Sequence, residues 1–175
     1  MAKTEKILIE RKEIEKRVVE LAGELDERFQ GVDLLVVPLL RGGFVFAADL
    51  VREMKTRMEI DFLTTSSYEH QEVSTGNVKI FGNLRAQVKD RHVLIIDDIV
   101  DSGRTMESVV EYMKSMGPAS VTSVVLLDKP SRREVDFHAD YAAFTIEDVF
   151  IVGFGLDYES HYRNVPYIYT YVDED

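Results

Sequence analysis

The sequence contains no cysteine. Disulfides and thiolate-ligated metal centres are therefore excluded, and the chain suits a reducing compartment. No long apolar run is present either: Leu34 to Leu40 has the length of a strand, against the ~20 residues that a spanning helix needs. The opening residues Met1-Ala2-Lys3-Thr4-Glu5-Lys6 lead into a charged stretch. Neither a signal peptide nor membrane attachment is expected, and a cytoplasmic location is. Positive charge is scarce, with 21 lysines and arginines against 32 aspartates and glutamates and a formal charge of −11. Such a balance repels a phosphate backbone and argues against nucleic acid as a partner. It leaves room for a small anionic ligand, which needs only local donors or a divalent cation.

No internal repeat, low-complexity tract or linker divides the 175 residues, so one domain spanning 1–175 is expected. A chain of this length buries roughly 68–70% of the surface its unfolded form exposes. Ile14, Val18, Leu21 and Leu25 recur at helical spacing and predict an amphipathic helix over 11–29. Buried strands are expected at Leu34–Leu40, Val93–Ile96 and Val121–Leu127, a further strand at Ile60–Thr65, and short ones near Tyr141–Phe144 and Phe150–Val152. Helices are expected from Phe44 to about Met54 and from Arg104 to Met116, and residues 66–77 read as a long polar loop. Apolar strands alternating with helices indicate an α/β fold with a parallel, doubly wound sheet. Val172 to Asp175 read as a solvated acidic tail.

The richest segment is Val93-Leu94-Ile95-Ile96-Asp97-Asp98-Ile99-Val100-Asp101-Ser102-Gly103-Arg104-Thr105. Paired carboxylates follow a buried strand, and Asp101 to Thr105 open a helix. Ligands of open α/β sheets bind at the carboxyl ends of strands. A helix start offers free N–H groups to an anion, and Ser102 and Thr105 add hydroxyls. Asp97 and Asp98 suit ribose hydroxyls, a metal shell or a developing cation. The plainer alternative makes Asp101 or Ser102 a helix cap. A phosphatase with an aspartyl nucleophile also places paired aspartates after a strand, but it needs a second aspartate two residues after the first, where Ile99 stands.

This segment closely resembles the binding signature for phosphoribosyl pyrophosphate (PRPP) in the phosphoribosyltransferases. The resemblance implies that Asp97 and Asp98 hold the ribose hydroxyls, and that Asp101, Ser102, Gly103, Arg104 and Thr105 wrap the 5′-phosphate. Asp101 would also be the general base. Many members carry glutamate where Asp97 stands, so the reach here is one methylene shorter.

Two more segments bear on the acceptor. In Leu126-Leu127-Asp128-Lys129-Pro130-Ser131-Arg132-Arg133 a lysine follows a buried strand, either as a surface charge or as a donor to a ligand. Asp148-Val149-Phe150-Ile151-Val152-Gly153-Phe154-Gly155-Leu156-Asp157-Tyr158 is aromatic, rich in glycine and ends in an acid, as an edge strand with aromatic packing also does. With the PRPP turn, these segments resemble the hypoxanthine-guanine phosphoribosyltransferases from about residue 6 to 170. The resemblance implies a type I fold with a core at about 30–145 and a small hood from about 1–15 and 146–175. Lys129 would donate to the purine O6, Phe150 would stack on the base, and the backbone of Ile151 would face its Watson–Crick edge. Mg²⁺ would be the cofactor, held by Asp157 with Asp97 and Asp98.

The resemblance also assigns pyrophosphate to the Arg41-Gly42 loop and to Arg163. It implies a strained peptide before Arg41 whose isomer the sequence leaves open. It further implies a lid carrying Ser67-Tyr68 and Ser74-Thr75-Gly76, substrates PRPP and a 6-oxopurine, and a homodimer or homotetramer. A PRPP-sensing regulator without catalysis, or a transferase for xanthine or uracil, is the alternative.

Overall fold

Alternation along the strands decides which face of the sheet each helix covers. The computed structural model describes residues 3–67 and 78–174. Its central strand β2 (Leu34–Leu40) lies parallel to β6 (His92–Val100), which lies parallel to β7 (Ser120–Asp128), which lies parallel to β8 (Tyr141–Thr145). Leu34, Val36, Leu94, Ile96, Val124 and Leu126 point to one face. There they meet Ile14, Val18, Leu21 and Leu25 of α1 (Arg11–Arg28) and Phe46 and Leu50 of α2 (Phe44–Glu53). Leu35, Val37, Val93, Ile95 and Val125 point to the other, against Met106, Val109 and Met113 of α3 (Arg104–Lys114). Burial on both faces is why these strands are continuously apolar. Each fully buried leucine of α1 contributes about 1.5–3 kcal/mol relative to exposure.

The other edge of β2 carries two short parallel strands in line, where one strand over Ile60–Thr65 was expected. These are β3 (Met58–Ile60), paired with Leu34–Val36, and β4 (Leu63–Ser67), paired with Leu39 and Leu40. Asp61 makes the break. Its carboxylate accepts the N–H groups of Phe62 (2.9 Å), Arg85 (2.6 Å) and Ala86 (3.0 Å), which turns the chain away from continuous pairing. Burial alone would raise the Asp61 pKa, but those three N–H groups and the Arg85 charge outweigh it and hold the carboxyl below its ordinary value. Beyond β4 runs β5 (Val78–Phe81), the antiparallel member of the sheet.

Three more expectations need correcting. The strand expected at Val93–Ile96 runs on to Val100, because Asp97, Ile99 and Val100 keep partners in Val125, Leu127 and Asp128. The strand expected at Phe150–Val152 shrinks to one bridge between Val152 and Tyr169. Val172 and Asp173 are not tail: they pair with Thr4 and Lys3 in a two-stranded antiparallel sheet of β1 (Lys3–Ile9) and β9 (Ile168–Asp173). No helix among the described residues is long and apolar enough to cross a membrane.

Candidate active site

At the carboxyl ends of β2 and β6 lies a cleft of about 350 Å³. Its wall includes Arg41, Gly42, Asp97, Asp98, Asp101, Ser102, Gly103, Thr105, Asp157 and Arg163. Ten of the candidate residues thus meet in one space, although they come from four separate stretches of chain. A larger hollow of about 1110 Å³ opens at the amino edge of the sheet, around Asp26, Phe29, Val32 and Lys55. Of the acids lining it, Asp26 is spent on structure: it accepts from the N–H of Lys55 and from the N–H and hydroxyl of Thr56.

Asp97 is buried, and the N–H of Asp98 donates to its Oδ1 at 2.8 Å. Burial, and then the neighbouring Asp98 charge, push the Asp97 pKa well above its ordinary value. Asp98 is raised too, again by burial, but less freely, because the Asp97 hydrogen bond and the Arg163 charge pull it down. Two adjacent carboxylates, one of them buried, each make ionisation of the other more costly. Gly42 leaves Asp98 its space, since a Cβ on Gly42 would lie 2.0 Å from Asp98 Oδ2. The Leu40–Arg41 peptide just before it is cis.

The helix-cap reading holds in part: Ser102 Oγ accepts the N–H of Arg104, the first residue of the helix, at 3.3 Å, whereas Asp101 does not cap it. Gly103 is the N-cap of α3, at φ +87° in the left-handed region that glycine tolerates, and has no side chain of its own to cap the helix. The first-turn N–H groups therefore face the cleft without a built-in carboxylate partner. Asp101 Oδ1 is a buried atom with no hydrogen bond among the described residues. Arg132 Nε stands 3.4 Å from it, close enough for ion pairing but not aligned to donate. Arg133 donates to the Asp101 backbone carbonyl at 3.0 Å and fixes the turn from behind.

Arg163 donates to the carbonyl of Gly155 at 2.6 Å and lies 3.5 Å from Asp157. Asp157 in turn accepts the N–H of Ser160. Arg104 does not join the wall: its side chain leaves the cleft and pairs with Glu134 at 2.7 Å.

Lys129, Phe150 and Ile151 are not in its wall, and Phe150 lines a separate hollow of about 390 Å³ with Lys3, Tyr158 and Tyr171. Lys129 is only 7% exposed, which overturns the surface-charge reading, and its N–H donates to the carbonyl of Val100. Ile151 is buried, whereas Phe150 is 52% exposed and rests edge-on against Tyr158 with ring centres 5.5 Å apart. Ser67 ends β4, and Tyr68 with Ser74-Thr75-Gly76 lies outside the described residues. Thr65 lines the cleft and was missed; its place at the end of the strand expected over Ile60–Thr65 was the available signal.

Residues 6–159 match the family model described as phosphoribosyl transferase domain. The chain belongs to the phosphoribosyltransferase family. It is 45% identical over 164 residues to the hypoxanthine-guanine phosphoribosyltransferase of Bacillus subtilis (strain 168), covering 94% of this chain and 91% of that one. It is 43% identical over 170 residues to the hypoxanthine phosphoribosyltransferase of Escherichia coli (strain K12), covering 96% of each. A crystal structure of a hypoxanthine phosphoribosyltransferase from Staphylococcus aureus superimposes with a TM-score of 0.90 at 40% identity, over 94% of this chain and 90% of that one. The α/β fold with its mainly parallel sheet is that of the type I phosphoribosyltransferases.

The paired carboxylates of this phosphoribosyltransferase carry a stability cost that can be measured. A carboxyl whose pKa is raised on folding weakens the folded state as pH climbs above its ordinary value of 3.8. Asp97→Asn is therefore expected to raise the Tm of the ligand-free protein at pH 7 in a chelating buffer, and less so near pH 4. Each kcal/mol of relieved burial cost raises Tm by about 2–4 °C in a chain of this size. Superimposable melting curves for the two proteins at pH 7 would refute this.

Proposed function

We propose that the chain transfers the phosphoribosyl group of PRPP to N9 of hypoxanthine or guanine, giving the nucleoside monophosphate and pyrophosphate, in the cytoplasm and as a homodimer or homotetramer. The observation that carries the choice of base is the burial of Lys129, tied through its backbone to the strand that leads to Asp101. An ammonium group only donates, so it accepts a 6-oxo group and rejects a 6-amino group.

In this reading the first turn of α3, with Ser102, Gly103 and Thr105, takes the 5′-phosphate. Asp97 and Asp98 face the ribose hydroxyls. The backbone of Arg41 and Gly42, with Arg163, takes the pyrophosphate, and Phe150 with the Ile151 backbone takes the ring. The C1′–O bond to pyrophosphate breaks ahead of full bonding to N9, leaving positive charge on the sugar as in glycoside transfer. The carboxylates near the sugar stabilise that charge. As N9 bonds to C1′, the N7 proton passes to Asp101 and the neutral purine product results.

The donor set fits Mg²⁺ arriving with substrate. No group of three acidic or histidine side chains gathers among the described residues. Mg²⁺ needs only one or two protein carboxylates when phosphates supply the rest. Asp157 on one side of the cleft, or Asp97 and Asp98 on the other, would supply those carboxylates. Bound there, the ion would neutralise charge developing on the leaving pyrophosphate.

The test is direct: the purified chain with PRPP, Mg²⁺ and hypoxanthine, guanine, xanthine, adenine or uracil, scored for nucleotide. Product with hypoxanthine or guanine and none with adenine is expected. Product with uracil alone, or with no base, would overturn the proposal.

A further inference from the structure

Asp148 is the anion that a buried Lys129 faces. A buried ammonium group needs a counter-charge. Asp128 precedes Lys129 in sequence but is engaged by Arg133. Asp148 Oδ1 instead lies 4.0 Å from Lys129 Nζ, and Asp148 Oδ2 accepts from Arg132 Nη1 at 3.5 Å. Arg132 Nε then reaches to 3.4 Å from Asp101 Oδ1. Positive and negative charges alternate from Lys129 through Asp148 and Arg132 to Asp101.

The backbone holds the ends of this series at fixed separation. Arg132 lies in the short 3₁₀ turn Pro130–Arg132, and its N–H donates to the carbonyl of Lys129 at 3.1 Å. The N–H of Lys129 donates to Val100, the residue before Asp101, at 3.0 Å. The side chains of Arg132 and Asp148 are 56% and 49% exposed, so their pairing adds little to folding stability. Stability does not account for the arrangement; orientation does.

We propose that Asp148 is a positioning residue for base recognition: its carboxylate aims the Lys129 ammonium and, through Arg132, couples that lysine to Asp101. The inference rests on the reading of Lys129 as the group that meets the purine carbonyl. Both charges at the chemical centre would then answer to one half-exposed acid outside the cleft wall. Part of the base selectivity would lie in the segment that precedes Phe150.

The experiment is steady-state kinetics on the full chain with hypoxanthine and PRPP as varied substrates. Asp148→Asn is expected to raise KM for hypoxanthine roughly tenfold, the scale of coupling within one ion-pair network. KM for PRPP should stay within about twofold, and Asp148→Glu should recover most of the loss. Arg132→Gln should act in the same direction, and the double variant should lose less than the product of the two. An unchanged hypoxanthine KM in Asp148→Asn, or an equal rise in both KM values, would overturn the positioning role. Lys129→Ala measured alongside separates the two ideas. If it raises hypoxanthine KM while Asp148→Asn does not, only this inference falls. If it does nothing, the reading of Lys129 falls first.

Discussion

Asp101→Ala is expected to lower kcat by ~10²–10⁴ while leaving the KM for PRPP nearly unchanged, the range that a positioned proton acceptor contributes. Three observations set this expectation apart from a general loss of the site. Asp101 Oδ1 is buried without a hydrogen bond among the described residues, and its one ion pair there is to a half-exposed Arg132 at 3.4 Å, which adds little to folding stability. The turn that carries it is fixed through its backbone, by Arg133 to the Asp101 carbonyl and by Glu134 to the Ser102 carbonyl, and those bonds survive removal of the carboxylate. The N-cap of α3 is Gly103, so the helix start keeps its N–H groups in place for a phosphate. Ground-state binding of PRPP should therefore persist while the chemical step slows. Asp101→Asn gives the sharper comparison, since the amide keeps the shape and loses the basicity. Turnover close to that of the native chain in either variant would remove Asp101 from the proton transfer.

The turn proposed to take PRPP stood out in the sequence because its residues are local. Asp97 to Thr105 are consecutive, and strand-then-helix patterning alone puts them at a sheet edge where ligands bind. The helices and the long apolar strands were legible for a related reason: α1 shows its buried face at helical spacing, and β2 is apolar throughout because both faces are covered. What escaped depends on distant partners. Lys3–Ile9 is exposed along most of its length and carries no period; it is a strand because Ile168–Asp173 returns to pair with it. The split between β3 and β4 depends on Asp61 finding N–H groups at Arg85 and Ala86, more than twenty residues onward. Arg104 was assigned to the phosphate by its place in the motif, yet helix geometry turns it toward Glu134. Lys129 illustrates the limit best, for only the folded chain makes it buried, and only the folded chain brings Asp148 to it.

That burial sets the second large expectation. In the native chain kcat/KM for adenine should fall below that for hypoxanthine by a factor on the order of 10⁴, the scale reached where a site pairs a polar group that the wrong substrate leaves unpaired. The ammonium of Lys129 has Asp148 at 4.0 Å, an ion-pairing distance beyond hydrogen-bond reach, so no hydrogen bond to that acid competes with an incoming base. A 6-oxo group accepts one of them, in a charge-assisted bond that contributes about 1.5–3 kcal/mol. A 6-amino group brings donors to a donor and leaves the buried charge facing hydrogen. Lys129→Ala should therefore cost hypoxanthine and guanine far more than adenine, and the discrimination should collapse mainly through loss of the 6-oxopurines. PRPP binding, which the proposal assigns to the α3 turn and the Arg41 loop, should be spared. Competition assays with the three purines at fixed PRPP read this directly. Equal kcat/KM values for hypoxanthine in Lys129→Ala and the native chain would mean that something other than this lysine meets the ring.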